Sequence, residues 1–155
     1  MHIEHLVPQS VDDTLDLVWT NLLGCCAPQN QKGNLRSQAH CGEFRQDRAL
    51  GVTPLDPTCG DQFEYTLQGQ VAASPQQNAA AIQTVENLNL TAERLRVARA
   101  SLVEEAYLDL EQLSEPDWLA TYVERDTQEG FPEFAGMMRW FYETSWRAEQ
   151  QLLQG

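Results

Sequence analysis

Cationic side chains are scarce in this chain of 155 residues. Ten Lys+Arg stand against 23 Asp+Glu, for a formal net charge of -13, and Lys32 is the only lysine. Nucleic-acid binding ordinarily draws on phosphate neutralisation by basic groups, so a protein that binds it uniformly over its surface is excluded. No apolar run approaches the roughly 20 residues of a membrane-spanning helix, and the N-terminus lacks a basic region leading into an apolar one, the mark of a secretory signal. A cytoplasmic protein without membrane association is expected. No Cys-x-x-Cys pair and no internal repeat is present.

What is there is unevenly placed. Lys32, Arg36, Arg45 and Arg48 lie within seventeen residues, whereas Glu104, Glu105, Asp109 and Glu111 belong to an acidic C-terminal half. All four cysteines (Cys25, Cys26, Cys41 and Cys59) fall in the first 60 residues. Clustered cysteines in a reducing compartment favour metal binding over disulfides. With 42% hydrophobic residues the chain can build a core, and its length suits one domain of ordinary size.

The hydrophobic pattern changes character near residue 75. Residues 2–7 read as a strand stopped by Pro8, and Leu15–Trp19 as a helical turn or ordered loop, with Leu22 and Leu23 as an apolar anchor. Residues 27–39 read as a polar loop and 40–50 as a short helix. Phe63, Tyr65 and Leu67 alternate with polar residues before Gln68-Gly69 and Val71, a hairpin pattern. Beyond Pro75, Ala79–Leu88 reads as a helix. Leu95, Ala98, Leu102, Ala106, Leu110 and Leu113 recur at three- and four-residue steps, predicting a helix over Thr91–Leu113 capped by Thr91. Ser114, with Pro116 in the first turn, opens another. Phe134, Met137, Phe141, Ala148 and Leu152 mark a last helix over Pro132–Leu153, its Met and Trp residues read as core. The fold class is therefore α+β, with a small strand-and-loop region over 1–72 followed by a helical region over 76–155.

Chemistry concentrates at the start. A carboxylate such as Glu4 can hold a hard cation and an imidazole such as His5 can act as a general base toward water. Adjacent positions on a regular strand face opposite sides, so a local distortion is needed to bring both to one site. By itself a Glu-His pair is common. Its surroundings are more specific. Ile3-Glu4-His5-Leu6-Val7-Pro8-Gln9-Ser10, then Trp19-Thr20-Asn21-Leu22-Leu23, Cys26 and His40-Cys41-Gly42 resemble the HNH, or ββα-metal, nucleases. The likeness extends to the HNH nucleases that accompany ATPases in Septu-type and retron-associated anti-phage systems, through Asn21-Leu22-Leu23-Gly24-Cys25-Cys26, Pro54-Leu55-Asp56-Pro57-Thr58-Cys59, Phe63-x-Tyr65 with Gly69, and Leu88-Asn89-Leu90. It covers residues 2 to about 100.

That resemblance implies a ββα-metal core, hydrolysis of phosphodiester bonds in nucleic acid (DNA in preference to RNA), a Mg²⁺ or similar divalent ion, and an ATPase partner docked on the acidic helices. It implies His5 as base, Asn21 as the residue holding the His loop, Glu4 and His40 as metal ligands with Glu43 the alternative to His40, and Arg45 or Arg48 as a phosphate contact. A structural Zn²⁺ would draw on Cys26, Cys41 and Cys59, completed by Cys25 or His40. The family carries a Cys-x-x-Cys pair before the strand. Here Met1 stands directly before it, so either the start is late or the zinc site is incomplete. Two other classes stay open: a catalytically inactive HNH-like module that binds a partner through its acidic helices, and a zinc-ribbon-like binding domain.

Overall fold

The computed structural model describes residues 2–25, 39–127 and 130–147. The fold is α+β, with two two-stranded sheets and five α-helices among those residues. Strand β1 (His2–His5) pairs antiparallel with β2 (Leu22–Cys25) in the register Ile3↔Gly24, Glu4↔Leu23, His5↔Leu22. Two 3-10 turns, Asp13–Leu15 and Trp19–Asn21, lie between them. Helix α1 (Cys41–Arg45) is short and ends at Gln46, whose φ of 52° no helix accommodates. Strands β3 (Phe63–Tyr65) and β4 (Val71–Ala73) form the second sheet, where the hairpin is expected. Helices α2 (Ala79–Asn87), α3 (Glu93–Asp109), α4 (Glu115–Tyr122) and α5 (Ala135–Phe141) follow, and a π-helical turn, Tyr142–Trp146, continues α5.

Two compact units divide the chain: Met1–Phe63 with Val71–Leu95, and Glu64–Gln70 with Arg96–Gly155. The first is organised around Val52, Ala73 and Ala81, with Phe63 and Cys59 packed against them. Thr84 on α2 staples the loop at Gly51–Val52. Its hydroxyl accepts from Gly51 N (3.1 Å) and Val52 N (2.8 Å) and donates to Val52 O (3.2 Å). Asn78 caps α2 by accepting from Ala81 N at 3.1 Å.

The second unit is built on Val103, Ala106, Trp118, Tyr122, Met137, Met138 and Phe141. Met137 and Met138 are core residues, as read from the sequence, and Ser114 caps α4 as expected. The expected stripe on α3 is corrected at two positions, Leu113 lying exposed beyond the helix end at Asp109. Ala98 is exposed, and the buried line runs through Leu95, Arg99, Val103 and Ala106. Arg99 is tolerated there because its Nε donates to Gly69 O at 2.7 Å and its guanidinium lies 5.9 Å from the Phe134 ring. Gly69, with φ +77°, is the turn residue that permits this approach: a Cβ on it would meet Arg96 O at 2.1 Å. Thr91 lies two residues before α3 and Pro132 three before α5, where Phe134 adopts φ 55°. The predicted loop over 27–39 lies outside the described residues except for Ala39, as do Cys26, Lys32, Arg36, Ala148 and Leu152.

Candidate functional site

The end of β1 is held from two directions. Asn21, 5% exposed, receives Val7 N on its Oδ1 at 2.7 Å and donates from Nδ2 to Val7 O (3.1 Å) and Leu15 O (3.2 Å). One donor and two acceptors around the amide fix which of its atoms is oxygen. Asn21 O also accepts from Leu6 N at 2.8 Å. The Leu6 bond follows the β1–β2 register one step past His5, and the ladder stops at Val7, whose N–H and carbonyl turn to the Asn21 side chain instead. From the other side, the Arg45 guanidinium donates to His5 O (3.0 Å) and Leu6 O (2.5 Å), and its Nε to Arg48 O (2.6 Å). Arg45 is 2% exposed. Burial pulls its pKa below the usual value, while the nearby Glu4 carboxylate and the Cys25 and Asp47 groups pull the other way.

His5 sits in this frame with Nε2 at 3.0 Å from Asp16 O. A carbonyl can only accept, so Nε2 carries the hydrogen and Nδ1 keeps the lone pair of the neutral ring. Glu4, the neighbouring residue, lies against the start of α1. A Cβ at Gly42 would stand 2.5 Å from both Cδ and Oε1 of Glu4, so glycine there makes room for the carboxylate. Gly42 N donates to Cys25 Sγ at 3.3 Å, and His40 Nδ1 lies 3.3 Å from Cys41 Sγ. This end of α1 is pinned by Cys41 N to Leu88 O (2.8 Å) and by Asn89 Nδ2 to Ala39 O (2.8 Å), and Cys41 itself has φ 55°. Glu4, Cys25, His40 and Cys41 are thus brought to one end of α1, with His5 on the adjacent strand position.

Other sequence candidates are placed differently. Arg48 is exposed. It stacks its guanidinium on Phe44 at 4.4 Å and bonds to Arg45 O at 3.0 Å and to Phe44 O. Glu43 is exposed on α1. Cys59 belongs to the 3-10 turn Cys59–Gln62, packs against the Val52 cluster, and has its thiol pushed up by burial and then by Asp56. Among the described residues no three His, Cys, Asp or Glu converge as a ready-made metal cluster. Of these groups, the Glu4 carboxylate is the donor type that a hard divalent ion takes. The sequence reading did not foresee Asp16, which acts through its main-chain carbonyl and has no residue-type signature, or Gly42 as the residue that seats Glu4.

The second unit carries an open, mainly apolar cavity of about 630 Å³ lined by residues including Arg96, Val103, Tyr107, Phe141 and Trp146. None of the candidate site residues lines it. Among the described residues no helix is long and apolar enough to cross a membrane. No protein-family model matches the chain, and no curated protein matches it either.

Proposed function

We propose that the first unit is an HNH-type, ββα-metal endonuclease that hydrolyses nucleic-acid phosphodiester bonds. In this reading the protein works with an ATPase partner as the effector of an anti-phage system. The observation that carries the proposal is the Asn21 clamp. Its side chain grips the segment directly after Glu4-His5, the task its place in the sequence pattern implies. The order β1, β2, α1, with Glu4 seated against α1, supports the same reading.

His5 would take a proton from the attacking water on Nδ1, the nitrogen left bare by the bond from Nε2 to Asp16 O. Asn21 and Arg45 hold the strand end so that this ring keeps its direction. Glu4 and His40 would bind a divalent ion, which neutralises charge on the phosphate. Arg48, the more exposed of the two arginines, is the one able to reach a phosphate oxygen, and a guanidinium suits that contact. The acidic helices of the second unit offer a basic partner a complementary surface.

The decisive experiment is cleavage of DNA and RNA by the purified protein with its partner, with and without chelator, compared with His5→Ala. Loss of a general base lowers rates by roughly 10²–10⁴-fold. Cleavage undiminished in His5→Ala removes His5 from the base role. A folded protein with no cleavage and no divalent-ion binding is an interaction module instead.

A further inference from the structure

The chain between β1 and β2 has two faces. Its inner face is the frame described above, with Leu15 O held by Asn21 and Asp16 O by His5. The outward side chains include four large apolar groups within nine residues: Val11 is 68% exposed, Leu17 93%, Val18 40% and Trp19 84%. Single exposed apolar residues are ordinary, but a concentration of them that includes a tryptophan marks an interaction surface. Tryptophan is among the residues that most often dominate binding energy.

Their backbone is fixed beforehand. Asn21 N bonds to Val18 O at 2.8 Å, Val18 N to Leu15 O at 3.1 Å, and Leu15 and Asn21 are tied together through the Asn21 amide. Leu17 and Trp19 are therefore presented from a pre-ordered loop, which keeps the entropy cost of binding low. Charge selects the partner. The only charged residues from Leu6 to Asn21 are Asp12, Asp13 and Asp16, with no cation among them. Asp12 is engaged in capping Thr14, accepting from its N at 3.0 Å and its Oγ1 at 2.6 Å, and Asp13 is exposed. A phosphate backbone would be repelled by this surface, whereas a segment with Lys or Arg flanking apolar side chains complements it.

We infer that the β1–β2 loop is a docking surface for a basic, apolar-anchored segment of a partner protein, with Leu17 and Trp19 as its anchors and Asp13 as a charge contact. This surface belongs to the first unit and does not depend on nuclease activity.

The test uses the full chain and three probes of equal length: an amphipathic peptide of Leu and Lys, the same pattern in Leu and Glu, and a single-stranded oligodeoxynucleotide. Anisotropy titrations of labelled probes should show saturable one-to-one binding of the Leu/Lys peptide only. The double variant Leu17→Ser with Trp19→Ser should weaken that binding by at least tenfold, and Asp13→Lys should weaken it while leaving net charge strongly negative. Both changes are at exposed positions, and unchanged circular dichroism and melting temperature verify the fold. The inference is overturned if the Leu/Lys peptide does not bind, if the double variant binds it equally well, or if the oligonucleotide binds through these residues. Sedimentation showing a dimer that the double variant disperses would assign the surface to a second copy and overturn it too.

Discussion

Asn21 carries three side-chain hydrogen bonds while almost fully buried, so its replacement leaves one main-chain N–H and two carbonyls to find other partners. Asn21→Ala should destabilise the protein by about 2–4 kcal/mol, since each buried group left unsatisfied costs roughly 1–3 kcal/mol and some relax toward water. Urea denaturation followed by far-ultraviolet dichroism measures it, and a loss under 0.5 kcal/mol would mean that the clamp is not what fixes the loop. Gly42→Ala separates position from stability. The added Cβ meets only the far end of the Glu4 side chain, which can swing aside. Stability should change by no more than about 1 kcal/mol, whereas cleavage should fall at least tenfold, because a displacement of about 1 Å at a reacting centre can cost 10²-fold. Unaltered cleavage in a variant of normal stability would place Glu4 outside the chemistry.

At the scale of elements, Thr84 joins α2 to the Gly51–Val52 loop through three bonds of one hydroxyl. Thr84→Val preserves shape and removes every one of them. A loss of about 2–3 kcal/mol is expected, dominated by the buried Val52 N–H left without an acceptor. Hydrogen exchange at Val52 should accelerate in parallel, and protection equal to that of the unchanged protein would contradict the staple. Several elements were legible from pattern alone. The β3–β4 hairpin, α2 and α4 lie where alternation, period and Ser114 place them. Strand β2 was not legible. Leu22-Leu23-Gly24-Cys25 has no alternation to follow, and it becomes a strand because β1 offers it a ladder. The buried face of α3 was misread at Ala98 because Arg99, polar by type, is buried by its bond to Gly69.

For the molecule as a whole, the side chains that titrate in the alkaline range are four cysteines, four tyrosines and one lysine. Two of those tyrosines are perturbed in the second unit. Burial, and then the bond to Asp109 Oδ2 at 2.7 Å, pushes the Tyr122 hydroxyl well up from its ordinary value. Tyr142 is raised first by its hydrogen bond to Glu115 and then by burial. A group whose pKa is higher folded than unfolded contributes stability that is complete below the unfolded value and is lost as pH rises through the folded one. Unfolded tyrosine titrates near pH 10. Melting temperature should therefore hold with respect to these groups below about pH 10 and fall above it. Tyr122→Phe should lower stability at pH 8 by about 1 kcal/mol and flatten the alkaline decline. An alkaline limb of unchanged steepness in that variant would remove Tyr122 as its source.

The sequence by itself determined the mixed α+β class, the excess of negative charge, the periodic helices and the residue types grouped near the N-terminus. Local chemistry suffices for these: period, turn residues and side-chain charge are properties of short stretches. Tertiary structure decided what those residues meet. It set Asn21 and Arg45 on either side of the strand end, gave His5 its tautomer through the Asp16 carbonyl, seated Glu4 against Gly42, and drew the division between the two units through α3. Each of these depends on main-chain atoms, or on neighbours 11 to 40 residues apart, which no local pattern encodes.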